Sequence, residues 1–274
     1  MNLRQAAPSI VTVLAMICGF VSILVTCESL RVDNPLPLHV AAAQLIMLAA
    51  MLDGLDGNVA RALKVESKIG AALDSHADII SFGVAPAVLV FGVMHHSGNV
   101  APIWWAIPIA MVLSGMLRLA RFAVTDPDES KKGFTGLPIP VCACWVSVVV
   151  YISQSGHGQH SWLFDLSSHA STTIFAAGIM LMAILQISNV RYPKPSKNMM
   201  IFAPLMLLVV IFVAAGKGPF ASINSDWSVR SAIAMLFIGS SYIFLGPPVV
   251  ISRERRLARR EAGGRELPDD DDEF

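Results

Sequence analysis

The stretch "MLDGLDGNVARALKVESKIGAALDSHAD", residues 51–78, ends one apolar run and begins another. It carries Asp53 and Asp56 three positions apart, and Asp74 and Asp78 four apart. Each spacing brings a pair back to one face of a helix. Carboxylates at the edge of a bilayer are costly and mark function. The rest of the chain gives them that setting. It has 274 residues, 54% of them apolar and only 15% charged, the composition of a polytopic membrane protein. A helical span needs about 20 apolar residues. Eight stretches qualify, at 8–27, 37–58, 72–95, 101–122, 138–154, 171–188, 199–216 and 230–250, the fifth and sixth being short. The expected fold class is an all-α polytopic membrane protein with about eight transmembrane helices.

Loop charge predicts the orientation. Of the 20 Lys and Arg, 17 fall on one side of the bilayer, and Arg31, Lys217 and Arg230 fall on the other. The positive-inside rule then puts both termini and the aspartates on the cytoplasmic side. The expected location is the inner membrane of a bacterium. The first apolar run is too long for a signal peptide, and "VTCESL" is a poor cleavage site, so it reads as a retained helix. Cys142 and Cys144 lack metal-ligand spacing and read as packing residues. So do the outer-loop histidines His157, His160 and His169 lack it, and His95 and His96 are read alike. The tail, 253–274, turns from basic to acidic and is expected to be cytoplasmic and disordered. Its basic part suits either anionic lipid or a simple topology anchor. No nucleic-acid partner is expected.

If the two helices flanking residue 64 are neighbours, the four carboxylates converge. Like charges at that range raise one another's pKa unless cations sit between them. Hard oxygen ligands suit Mg²⁺, Mn²⁺ or Ca²⁺, and two ions can share bridging carboxylates over phosphate chemistry. Gly57, Ala60 and Gly70 leave room for a bulky ligand beside the backbone. Arg61 adds a planar fork for phosphate or carboxylate. Helix-end salt bridges alone explain this order of residues poorly. A cation- or proton-coupled transporter is the rival from another class, although its acids belong nearer the bilayer midplane.

Asp-Gly-x-x-Ala-Arg, eight residues, then Gly-x-x-x-Asp-x-x-x-Asp resembles the signature of the CDP-alcohol phosphotransferases, present here as "DGNVARALKVESKIGAALDSHAD". The resemblance implies a six-span membrane core, here residues 1–188, usually homodimeric and open to the cytoplasm. Residues 189–252 would then add a helix pair before the tail. It implies that Asp53, Asp56, Asp74 and Asp78 hold divalent metal on the donor diphosphate, two ions of Mg²⁺ or Mn²⁺, with Ca²⁺ an inhibitory occupant. Asp78 would also be the general base. Gly57, Ala60, Arg61 and Gly70 would contact the CDP moiety. Relatives open the first span with Pro-Asn-x-x-Thr; here it is "PSIVT", with Ser9 in the Asn position and Thr12 retained. Ser9 and Thr12 are thus further candidates for nucleotide contact.

Three more stretches bear on the acceptor: "IISFGVAPA" (79–87), "RLARF" (118–122) and "GFTGLPIP" (133–140). Together they resemble the membrane-integral phosphatidylserine synthases. That implies CDP-diacylglycerol as donor, L-serine as acceptor and CMP as product, by direct displacement among membrane lipids. Arg118 and Arg121, one helical turn apart, suit the serine carboxylate, though topology or lipid phosphate would explain them as well. Phosphatidylglycerophosphate synthase, or another phosphotransferase with a different acceptor, is the nearest alternative.

Overall fold

The computed structural model describes residues 3–63, 68–98, 101–124, 134–154, 161–193 and 226–262. Its helices are α1 (Leu3–Ser29), α2 (Leu36–Leu63), α3 (Lys68–Asp78), α4 (Ala85–His96), α5 (Ala106–Val124), α6 (Ile139–Gln154), α7 (His169–Ile187) and α8 (Asp226–Ala262). A π turn, Ile79–Val84, joins α3 to α4 without a break. Two short strands, β1 (Phe134–Thr135) and β2 (Arg191–Tyr192), pair antiparallel.

Six helical stretches are long and apolar enough to cross a membrane: Ile10–Ser29, Leu36–Leu55, Gly70–His96, Pro102–Val124, His169–Ile187 and Val229–Val250. The helix Ile139–Gln154 is apolar but shorter. The chain is therefore an all-α integral membrane protein. The expected span at 199–216 lies outside the described residues. The tail departs from expectation in its first part: α8 runs on to Ala262, so residues 253–262 are helical. Arg, Glu, Ala and Leu are strong helix formers, and their propensity carries the helix beyond the apolar stretch.

Burial is inverted as a bilayer requires. Ile10, Leu14, Ile17, Phe20 and Leu24 of α1 form an exposed apolar stripe, suited to lipid. Ala15 of α1 and Ala41, Ala42, Ala43 and Ala49 of α2 are buried, small residues that let neighbouring backbones approach. Hydrogen bonds fix that approach: Ser22 Oγ donates to the Ala42 carbonyl at 2.9 Å, across 20 residues of sequence.

Two further contacts tie distant elements together. Behind Asp78, Ser81 Oγ in the π turn donates to the Ala15 carbonyl of α1 at 3.1 Å. A Cβ on Gly19 would lie 2.5 Å from Ser81 Oγ and 2.6 Å from Ser81 Cα, so only glycine fits there. At the other contact, Arg121 clamps the end of α7. Its Nη1 donates to the Ile187 carbonyl (2.8 Å) and Asn189 Oδ1 (3.3 Å), and its Nη2 to the carbonyls of Thr135 (3.1 Å), Gln186 (3.2 Å) and Ser188 (3.1 Å). The last carbonyls of a helix lack intrahelical partners and carry negative partial charge, which a guanidinium answers on both counts. Gly136, at φ 80°, completes the clamp: a Cβ would collide with the Gln186 carbonyl and sit 2.7 Å from Arg121 Nη2.

On α8, Pro247 and Pro248 lie inside the helix. Proline has no N–H to give, so the carbonyl four residues back loses its partner. The Ile243 carbonyl instead faces the Tyr192 hydroxyl at 3.4 Å, and Tyr192 stacks on Tyr242 with ring centroids 5.6 Å apart.

Substituting Gly19→Val should push α1 off the π turn. Overpacking of this kind typically costs about 1–3 kcal/mol, and thermal unfolding of the purified protein in detergent should show a lowered midpoint. Arg121→Ala should destabilise by roughly 1.5–3 kcal/mol, the worth of hydrogen bonds to a charged group. Arg121→Lys should restore little, because an ammonium cannot span both Nη positions.

Candidate metal centre

Asp53 lies on α2, Asp74 and Asp78 on α3, with the last two at i, i+4 on one face. The three carboxylates are half-buried and converge, each offering an oxygen within 4.8 Å of the others. Two unit charges at that distance repel by roughly 3 kcal/mol even at an effective dielectric of about 20. A divalent ion reverses the sign of that balance. Its oxygen ligands stand about 2.0–2.6 Å from it, so oxygens sharing one ion lie within roughly 4–5 Å of each other, as these do. The donor set is wholly carboxylate oxygen, which suits a hard cation. The residues therefore fit a divalent metal.

The signature continues around this centre. Asp56, Gly57, Ala60 and Arg61 belong to the last turns of α2, and Asp56 follows Asp53 at i+3 on that helix. Side-chain placement at 56–61 lies outside the described residues. Gly70 opens the α3 span and is half-buried. Thr12 is buried at 5% exposure on α1, which packs against α3. Ser9 lies one turn earlier on α1, and its side chain also lies outside the described residues.

The two arginines of α5 have different environments. Arg118 is 7% exposed, and its Nε has no hydrogen-bond partner among the described residues. Its guanidinium stands 5.8 Å from the centroid of the Phe134 ring, a cation–π arrangement. It lies within electrostatic range of Asp78, Arg121 and Tyr242. Arg121 holds the rim together through the five hydrogen bonds described above. Spacing alone made the two arginines look equivalent, and their packing separates them.

Phe134 was visible only as part of the stretch "GFTGLPIP", and its place over Arg118 depends on β1 pairing with β2, where it lies opposite Tyr192, 58 positions further along the chain. Tyr242 carried no sequence signal at all. Its hydroxyl donates to the Pro193 carbonyl at 2.9 Å, bringing α8 to the strand pair. Cys142 is buried and Cys144 partly buried, and both are free thiols.

Residues 5–190 match the CDP-alcohol phosphatidyltransferase family. A CDP-diacylglycerol–serine O-phosphatidyltransferase of Helicobacter pylori is 34% identical over 178 residues, 64% of this chain and 69% of the relative. The protein of that name from Methanocaldococcus jannaschii is 36% identical over 203 residues, 73% of this chain and 81% of the relative. An archaetidylserine synthase of Methanothermobacter thermautotrophicus is 34% identical over 195 residues, covering 69% and 70%. The matched segment spans the helices that carry the converging carboxylates, whose geometry fits a divalent metal, and the chain belongs to the CDP-alcohol phosphatidyltransferase family.

Proposed function

We propose that the protein transfers a phosphatidyl group from CDP-diacylglycerol to the hydroxyl of L-serine, giving phosphatidylserine and CMP. The observation that carries this reading is a buried guanidinium, Arg118, set within electrostatic range of Asp78, one of the three converging carboxylates. Serine needs a cation for its carboxylate beside a base for its hydroxyl, and the names of the relatives above favour the same acceptor.

In this reading Asp53, Asp56, Asp74 and Asp78 hold divalent metal, two ions of Mg²⁺ or Mn²⁺. When bound, the metal neutralises the diphosphate and stabilises CMP as it leaves. Gly57, Ala60, Arg61 and Gly70, with Ser9 and Thr12, hold the CDP moiety. Arg118 orients serine through its carboxylate, with Phe134 fixing the guanidinium plane. Asp78 accepts the proton of the serine hydroxyl as its oxygen bonds to the phosphatidyl phosphorus and the bond from that phosphorus to the CMP oxygen breaks. Arg121 shapes the rim and does not touch serine. Residues 1–188 form the core, 189–252 contribute two further spans, and the site faces the cytoplasm of a bacterial cell. A homodimer is the expected assembly.

The decisive assay follows CMP release by the purified protein from CDP-diacylglycerol, with and without L-serine. Serine-dependent CMP should appear and should vanish with chelator. Glycerol 3-phosphate, offered in parallel, should be the poorer acceptor; if it is the better one, the serine assignment falls while the phosphotransferase class stands.

Asp74→Asn should lower turnover by at least about 10- to 100-fold, the usual cost of disturbing even an outer partner of a metal site. Normal CMP release at saturating metal would refute the metal role. Asp78→Asn should lower turnover by about 10²–10⁴-fold while nucleotide affinity changes less, as removal of a base does. Equal losses would make Asp78 chiefly a ligand. Arg118→Ala should raise the serine KM by about 10- to 150-fold, the equivalent of a charge-assisted hydrogen bond worth roughly 1.5–3 kcal/mol, and leave the KM for CDP-diacylglycerol nearly unchanged. A shift confined to the lipid substrate would assign Arg118 to lipid phosphate instead.

A further inference from the structure

The Arg118 guanidinium lies against the Phe134 ring, 5.8 Å from its centroid, and its Nε has no hydrogen-bond partner among the described residues. Such a contact orients a guanidinium only as firmly as the ring itself is held. Phe134 belongs to β1, a strand of two residues, and stands opposite Tyr192 on β2, a strand of two as well. A two-stranded ladder is marginal on its own even when longer than this. Whatever braces the ladder therefore sets where the guanidinium sits.

β1 is braced from within the membrane core. Arg121 Nη2 donates to the Thr135 carbonyl at 3.1 Å, and the Gly136 N–H donates to the Val190 carbonyl at 2.8 Å. β2 is braced by α8. The buried Tyr192 ring stacks on Tyr242 with centroids 5.6 Å apart. The Tyr242 hydroxyl donates to the carbonyl of Pro193, the residue that follows β2, at 2.9 Å. One turn on, the α8 backbone itself comes close: a Cβ on Gly246 would lie 3.2 Å from both Pro193 Cδ and Tyr192 Cδ1. Tyr242 is also within electrostatic range of Arg118.

These contacts are not needed merely to keep α8 on the bundle. Val229, Ala232 and Met235 are buried nearer its start, and Trp145 Nε1 of α6 donates to Ser240 Oγ at 3.3 Å. Tyr192 and Tyr242 both lie beyond residues 5–190, the segment shared with the family. The brace on β2 is thus an addition to the family core that reaches back to an arginine inside it.

We propose that Tyr242 is a positioning residue for the acceptor. Through its hydrogen bond to the Pro193 carbonyl and its stack on Tyr192 it holds the strand pair, and with it Phe134, so that the Arg118 guanidinium is presented to the acceptor's carboxylate. This rests on the assignment of Arg118 to that carboxylate. Tyr242 acts through Arg118 and needs no contact of its own with substrate.

The test compares CMP release by the purified full chain as wild type, Tyr242→Phe, Arg118→Ala and the double variant. Tyr242→Phe keeps the ring and loses only the hydroxyl. It should raise the serine KM about 3- to 10-fold, the usual worth of one hydrogen bond, with kcat and the KM for CDP-diacylglycerol nearly unchanged. Added to Arg118→Ala it should raise the serine KM no further, the non-additivity expected of residues that share one interaction. A purely structural role predicts instead a lowered unfolding midpoint and less active protein at the wild-type serine KM. Gly246→Ala crowds Tyr192 and Pro193 while the hydroxyl stays; it should show the same separation of KM from kcat, and it decides the matter if Tyr242→Phe unfolds. The proposal is overturned if Arg118→Ala raises the serine KM and Tyr242→Phe does not, or if the two effects multiply in the double variant. If Arg118→Ala itself leaves the serine KM unchanged, the assignment of Arg118 falls and the role of Tyr242 falls with it. If the wild type prefers glycerol 3-phosphate, the serine reading alone falls, and the same four proteins are compared by their KM for glycerol 3-phosphate.

Discussion

Mutual repulsion among Asp53, Asp74 and Asp78, held within 4.8 Å of one another beside a hydrocarbon layer, is the constraint on which the rest of the structure depends. Left to themselves, such groups would separate or take up protons. The fold prevents separation by fixing both helices that carry them. Helix α1 does most of this. It packs along α2 and bonds to it through Ser22, and it meets the π turn behind Asp78 at Gly19 and Ser81. An apolar helix whose one acid, Glu28, lies near the other end of its span thereby ties together the two helices that carry the carboxylates.

Positive charge is placed with equal economy. Arg118, on α5, lies within electrostatic range of Asp78 and keeps its Nε without a hydrogen-bond partner among the described residues. Arg121, one turn on, is fully employed on backbone carbonyls. A buried donor without a partner costs free energy, so a chain that tolerates one beside its acids has a use for it. The clamp at Arg121 and the neighbouring strand pair place Phe134 against Arg118, so one arginine positions the surroundings of the other.

Much of this was legible in the sequence. Period and spacing put Asp53, Asp74 and Asp78 together, because helical geometry and a short connection leave them few other arrangements. Apolar run length located the spans Ile10–Ser29 through Pro102–Val124 within a few residues. What escaped depends on contacts between distant segments. The difference between Arg118 and Arg121 arises from β1 pairing with β2, which no local pattern announces. A cavity of about 420 Å³ lined by His39, His96, Gln154 and Asp165 draws on α2, the end of α4, the end of α6 and the turn before α7, and each contribution alone reads as an ordinary polar residue near a helix end. The helical course of 253–262 was missed because charge density was read as disorder, when the same residues are good helix formers.

The π turn at Ile79–Val84 makes this span a matter of phase. Its Ala85 N–H reaches back five residues to the Ile80 carbonyl, so the helix holds one residue more than an α-helix of the same rise. Each residue of an α-helix turns the following chain by about 100°. That extra residue sets the angle between the face bearing Asp74 and Asp78 and the face with which α4 enters the core at Leu89, Val90 and Val93. An uninterrupted α-helix could satisfy one face or the other. Insertions and deletions in this segment are thus constrained differently from substitutions: a substitution disturbs the contacts of one side chain, whereas losing a single residue rotates the acids away from Asp53.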